Sequence, residues 1–232
     1  VKGGDCVVLK SAQTVRYLAA FHAVQLLGAV SVPLEKNVKG ERLSGICDVV
    51  GARLCIGGDA ENTQCVTYKL LDEWKNEGEL PPLPKPSEIS EILFTTGTTG
   101  KSKGVVLTHE NDVALGENIM YGVEMKKDNR EVIPMPLNHS FALRRYYANM
   151  LNGSSVILLD GVIFVKSFFD CFDKKGATSA ALAPSALSVI LKLTGDKLSE
   201  YRDRIDYLQF GSAHLAEKEK NDVLRLLPES RA

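Results

Sequence analysis

Short apolar runs alternate with helix-length amphipathic stretches along most of the 232 residues, and this alternation limits the fold more than any other feature. Strand-like runs at 6–9, 29–34 and 53–56 are separated by helical stretches at 15–27 and 41–50, and a further strand is expected at 64–68. In the first helix Val15, Leu18, Ala19, Leu26 and Leu27 fall largely on one face, Ser11 is a candidate cap at its start, and Gly28 is placed to stop it. Beyond residue 130 the alternation resumes. Strands are expected at 132–135, 155–159, 178–182 and 207–210, with helices at 140–151, 164–174, 185–193 and 216–227. Such a chain builds an α/β fold: mainly parallel sheets covered by helices, with ligands held at the carboxyl ends of the strands.

Composition narrows the class of partner. At 44% hydrophobic and 25% charged the chain has a globular make-up, and 28 Lys plus Arg against 29 Asp plus Glu leave a net charge of -1. The charges are interspersed, which gives nucleic acid or an anionic membrane no basic face to bind. No apolar run approaches membrane-spanning length. Cys6, Cys47, Cys55, Cys65 and Cys171 are odd in number, scattered and without a C-x-x-C pair, so a reducing cytoplasm fits and a metal or disulfide framework does not. The stretch 77–90 carries Pro81, Pro82, Pro84 and Pro86 and reads as a stiff surface linker, within a domain or between two. His22, inside the first helix with no polar partner nearby in sequence, reads as structural.

Residues 91–108 carry the strongest chemical signal. An apolar strand, Glu91-Ile92-Leu93-Phe94, runs into Thr95-Thr96-Gly97-Thr98-Thr99-Gly100-Lys101-Ser102-Lys103-Gly104 and leaves as a second strand. Glycines let successive N–H groups converge on an anion, threonine hydroxyls add donors, and lysine supplies countercharge, so the loop reads as a phosphate cradle. Its rival is the nucleotide loop G-x-x-x-x-G-K-[ST]. Gly100-Lys101-Ser102 matches the end of that pattern, but its first glycine would fall on Thr95. The run Val156-Ile157-Leu158-Leu159-Asp160 resembles the acidic strand that accompanies such loops, although a parallel strand ending in Asp is common.

This loop resembles the signature of the adenylate-forming, or AMP-binding, superfamily, which includes acyl-CoA synthetases and the adenylation domains of peptide synthetases. Two further segments resemble that family in the same order: Met135-Pro136-Leu137-Asn138-His139-Ser140-Phe141, and Phe210-Gly211-Ser212-Ala213-His214-Leu215. Gly28-Ala29-Val30-Ser31-Val32-Pro33-Leu34 adds a weaker likeness. The resemblance implies part of a large N-terminal domain built of two stacked α/β subdomains, residues 1–127 with the phosphate loop and residues 128–232 incomplete at the C-terminal end. Thr95, Thr96, Gly97, Thr98, Thr99 and Gly100 would wrap the ATP phosphates and Lys103 would neutralise the departing pyrophosphate. His139 would position and gate, Gly211, Ser212 and Ala213 would let adenine and the acyl group approach the backbone, and Phe141 and Arg145 would line the acyl pocket. Two departures stand out, Asn138 in place of an aromatic and His214 in place of a proline.

The implied reaction is ATP-dependent activation of a carboxylic acid to an acyl-adenylate, with Mg2+, followed by transfer to a thiol of coenzyme A or a carrier-protein phosphopantetheine. Arg145 would then bind a second anionic group on the acid, against the alternative of a solvated arginine pair with Arg144. The family's downstream magnesium-holding glutamate, ribose-binding aspartate and catalytic lysine have no counterpart in these residues. The chain is therefore expected to be a fragment, with no metal ligand of its own and no turnover alone. A P-loop NTPase and a catalytically silent binding domain of the same fold are the alternatives.

Overall fold

The computed structural model describes residues 1–73, 79, 81–95 and 103–230. It divides into two compact units, Val1–Asp112 and Val113–Ala232.

In the first unit β1 (Cys6–Lys10), β2 (Val30–Leu34), β3 (Ala52–Ile56), β4 (Cys65–Val66), β5 (Ile89–Phe94) and β6 (Gly104–Thr108) form one sheet in the order β4-β3-β1-β2-β5-β6. Every neighbouring pair is parallel except β5 and β6, which form an antiparallel hairpin. Helix α1 (Val15–Leu26) packs on the face where Ser31 donates to the Phe21 carbonyl. On the opposite face α2 (Gly40–Val50) places Leu43, Ile46 and Cys47 against Val8, Val32 and Cys55. The central strands β1 and β2 are therefore buried on both faces, as their mainly apolar sequences require.

Two local expectations are corrected. Thr14, not Ser11, caps α1: its hydroxyl accepts from Tyr17 N at 3.2 Å, while Ser11 is buried and its N–H bonds Leu34 O at 2.8 Å, prolonging the β1–β2 ladder. The strand expected at 64–68 shrinks to Cys65–Val66. Thr67 accepts from Leu70 N at 3.2 Å and so starts the short helix α3 (Tyr68–Glu73).

In the second unit β7 (Arg130–Ile133), β8 (Ser155–Leu158), β9 (Ser179–Leu182) and β10 (Tyr207–Phe210) form an all-parallel sheet in the order β10-β9-β7-β8. Helix α4 (His109–Gly122) opens in the first unit and enters the second, where Gly116 lies so close to α5 (Ser140–Asn152) that a Cβ would sit 2.7 Å from Leu151 Cδ1. Helices α6 (Val165–Lys175), α7 (Pro184–Thr194) and α8 (Glu217–Leu226) cover the face carrying Val132, Ala180 and Leu208. Phe168, Phe169, Phe172 and Tyr201 cluster there with ring centroids 5.2–5.6 Å apart, each such pair contributing about 0.5–1.5 kcal/mol beyond burial. Tyr201 belongs to a 3-10 turn, Gly195–Tyr201, that periodicity did not reveal.

The other face of this sheet is polar and buried under α5. Glu131 and Arg145, both fully buried, form an ion pair at 2.6 Å between Oε1 and Nε. Asn149 Nδ2 and the Tyr207 hydroxyl donate to Glu131 Oε2 at 2.5 and 3.1 Å, while Arg145 Nη1 donates to Gln209 Oε1 and Nη2 to the Tyr207 hydroxyl. Asn129 bonds Asn149 and Tyr207 through its amide and accepts from Ser179. Every strand except the edge strand β8 contributes, and α5 supplies Arg145 and Asn149 one helical turn apart. Burial, and next the Glu131 charge, push the Tyr207 phenol well above its ordinary range, so it remains a donor.

Candidate functional site

Thr95 and Lys103, the two ends of the phosphate-loop segment, are held at the mouth of the β5–β6 hairpin. Register pairs run from Ile89↔Thr108 to Phe94↔Gly104, and Thr95 N then donates to Lys103 O at 2.9 Å. Thr95 and Lys103 are exposed at the two ends of the loop; Thr96, Gly97, Thr98, Thr99 and Gly100, with Lys101 and Ser102, lie outside the described residues. Gly104 is required by packing: a Cβ there would come within 2.8 Å of Ile92 Cγ2 and 3.4 Å of the Phe94 ring. Ser90 fixes the hairpin from behind, donating to Asp112 Oδ2 at 2.6 Å and to Leu107 O at 3.1 Å. The chain leaves the loop as an antiparallel strand. A P-loop leaves its strand into a helix whose N-terminus faces the phosphates, so this topology disfavours the NTPase alternative.

The other two segments meet at the carboxyl edge of the second unit's sheet. After β7, Leu137 is fully buried and anchors the turn, and His139 follows as the N-cap of α5. The His139 N–H donates to Pro136 O and its carbonyl accepts from Leu143 N, both at 3.1 Å, so its backbone does the capping while its imidazole stays exposed. After β10, Gly211 N donates to Leu182 O at 3.3 Å, and Ser212 adopts a left-handed backbone with φ 71°. A non-glycine residue there carries roughly 1–2 kcal/mol of strain. Ala213 and His214 are exposed.

Phe141 and Gly211 are brought into contact. A Cβ on Gly211 would lie 2.7–3.0 Å from the Phe141 ring, so the ring rests on the bare backbone of the turn. The small residue inferred from sequence is needed there, and one reason is a protein side chain. Gly211→Ala is expected to push the ring off the turn and cost about 1–3 kcal/mol, with Phe141→Leu in the same chain recovering most of it. Urea unfolding of the two variants measures this, and equal destabilisation with and without Phe141 would show that the contact does not matter.

Arg145 does not offer a free guanidinium at this edge. Its three nitrogens donate to Glu131, Gln209 and Tyr207, and the group lies 5.2 Å over the Tyr207 ring. The solvated pair is overturned as well, because Arg144 is also buried, with its guanidinium 5.3 Å from the Tyr147 ring centroid. Through Gln209, Arg145 ties α5 to the strand that feeds Gly211–Ala213. Glu131, Asn149 and Gln209 were missed by sequence reading, although Arg145 and Asn149, spaced i and i+4 and so on one face of α5, were a usable signal. His22 is half-buried beside Gln25 with its pKa lowered, first by burial, as a structural histidine would be.

Two sheets of mainly parallel strands, a glycine- and hydroxyl-rich hairpin loop and a glycine turn at a carboxyl edge define an α/β nucleotide-binding architecture. The AMP-binding enzyme family matches residues 1–231, and the chain belongs to that family. The long-chain-fatty-acid–CoA ligase FadD13 of Mycobacterium tuberculosis is 25% identical over 66% of this chain and 34% of its own length. The 4-coumarate–CoA ligase 3 of Arabidopsis thaliana is 23% identical over 99% of this chain and 46% of its own. The chain thus spans about a third to a half of these curated relatives. Among solved structures, the N-terminal domain of FACL13 from Mycobacterium tuberculosis superposes with a TM-score of 0.84 at 20% identity, covering 97% of this chain and 61% of that one. O-succinylbenzoate coenzyme A synthetase from Bacillus subtilis, in complex with AMP, gives 0.86 at 19%, with 97% and 59% covered. These superpositions establish the fold of the N-terminal domain of adenylate-forming enzymes.

Proposed function

We propose that the protein carrying these residues activates a carboxylic acid with ATP, forming an acyl-adenylate and pyrophosphate, and passes the acyl group to the thiol of coenzyme A or of a carrier-protein phosphopantetheine. Membership of the AMP-binding family supports this, and the observation that carries it is the hairpin clamp. Thr95 and Lys103 are held together by a backbone bond, which fixes the two ends of a segment rich in hydroxyls, glycines and lysines. In this reading Thr95 to Gly100 cradle the phosphates and the Lys103 ammonium offsets charge growing on the leaving pyrophosphate. His139, exposed at the start of α5, orients the acid and gates the thiol, since a carboxylate needs no proton removed before it attacks phosphorus. Gly211, Ser212 and Ala213 let adenine and the acyl group lie against the backbone, with Phe141 lining the acyl side.

Mg2+ would neutralise the triphosphate. Among the described residues no group of three His, Cys, Asp or Glu side chains is arranged to hold a metal ion. We assign residues 1–127 and 128–232 to two subdomains, while the compact units part earlier, at Asp112 and Val113 within α4. The described residues hold no helix long and apolar enough to cross a membrane; we place the protein in a reducing cytoplasm on the odd number and scattered spacing of its cysteines.

The experiment is ATP–pyrophosphate exchange by the complete gene product across a panel of carboxylic acids. Exchange dependent on one class of acid is expected. ATP hydrolysis to ADP without any acid would replace this reading with an NTPase, and no exchange with any acid would leave a silent binding domain.

A further inference from the structure

Three of the five cysteines, scattered in sequence, converge in the first unit. Cys47 comes from α2, Cys55 from β3 and Cys65 from β4, and the first two are buried in the core on the α2 face with Cys65 packed against them. Cys55 and Cys65 are direct register partners across the β3–β4 pair. Adjacent strands lie roughly 4.8 Å apart, within the about 4.4–6.8 Å between Cα atoms that a disulfide spans. The thiols of Cys47 and Cys65 lie close enough to Cys55 to act on its titration.

The two partners differ in access. Cys55 is wholly buried, whereas Cys65 is only half-buried, on a two-residue strand at the margin of the sheet. The Cys65 sulfur accepts the Ala60 N–H at 3.2 Å and donates to Thr63 O at 3.3 Å, so it is fixed beside its partner. At Gly58 a Cβ would come within 2.8 Å of Cys55 Sγ; the bare glycine leaves the thiol its space. Burial, followed by the neighbouring thiols, pushes Cys55 up to about 12, so it waits as a thiol and does not initiate chemistry. No metal-holding group of three is formed by these side chains among the described residues, which separates the cluster from a zinc site.

We propose that Cys65 and Cys55 form a reversible oxidation site, in which a hydroperoxide oxidises Cys65 and Cys55 then closes an intramolecular disulfide onto it. In the first step the Cys65 thiol takes one oxygen from ROOH, giving Cys65–SOH and ROH. In the second the Cys55 sulfur attacks Cys65 Sγ, the S–O bond breaks, and the hydroxyl leaves with the Cys55 proton as water. The two electrons lost by the pair of thiols are those that reduce the peroxide. A dithiol such as dithiothreitol reverses the bond by exchange. The cross-link ties the short edge strand β4 to β3 and closes the segment between them.

The test is mild hydrogen peroxide treatment of the complete gene product, followed by thiol blocking in denaturant and peptide mapping without reduction. Of the five thiols in these residues, the map should lose Cys55 and Cys65 together as one linked peptide, and dithiothreitol should restore both. Cys65→Ser should abolish the link, and Cys171→Ser should leave it unchanged. A Cys47–Cys55 link, a link between chains, or Cys65 ending as sulfinic acid with Cys55 still free would each overturn the proposal. The wild-type map decides this even if a variant folds poorly.

Discussion

Glu131→Ala should cost the second unit about 3–5 kcal/mol of folding free energy, the penalty for stranding the partner of a buried ion pair. The residue is fully buried, and its two oxygens take hydrogen bonds from Arg145 Nε, Asn149 Nδ2 and the Tyr207 hydroxyl. Its loss strands the buried guanidinium without its counter-charge and takes from Arg145 Nε, Asn149 Nδ2 and the Tyr207 hydroxyl the carboxylate they share. Against a total stability of about 5–15 kcal/mol for an ordinary domain, that is a large fraction. The paired change Glu131→Leu with Arg145→Met removes both charges and should cost less than either single substitution. Urea unfolding followed by circular dichroism measures all of them; a Glu131→Ala midpoint indistinguishable from wild type would show that the pair contributes nothing.

The second large effect concerns catalysis. Lys103→Ala in the complete gene product should lower acid-dependent pyrophosphate exchange by about 10²–10³, the loss typical of one electrostatic donor to a transition state. Lys101→Ala should leave most of it. The hairpin should survive the first change, because Lys103 holds Thr95 through its carbonyl and its side chain is exposed. The reverse ranking would return the loop to a P-loop type of chemistry. Unchanged exchange in both variants would remove either lysine from the reaction.

Much of the fold was legible because strand and helix write different periods into apolar residues. β10 was read with its observed bounds and α2, α5, α6 and α7 to within a residue at each end, where left-handed Gly51, Gly153 and Gly176 close three of those helices. Misreadings arose where a hydroxyl had two uses: Ser11 prolongs a ladder, and Thr67 starts a helix. The buried polar face under α5 was illegible for a different reason. Binary patterning assigns Glu131, Gln209, Arg145 and Asn149 to solvent one at a time, and only their convergence from β7, β10 and α5 makes burial tolerable. For the site, residue types and order along the chain were readable. The contact of Phe141 with Gly211, and the commitment of Arg145 to its neighbours, depend on separations that no local pattern records.

The β5–β6 hairpin also sets an order of assembly. Parallel neighbours such as β1 and β2 can pair only after an intervening helix has brought them together, whereas β5 and β6 are antiparallel and joined directly by the segment 95–103. Local antiparallel pairs close in about 1–10 μs, and distant pairings form more slowly as contact order rises. The base of the phosphate loop can therefore form while most of the sheet around it is still unpaired, and a chain emerging from synthesis would display Val105 and Val106, both exposed on the edge strand, before its later strands exist.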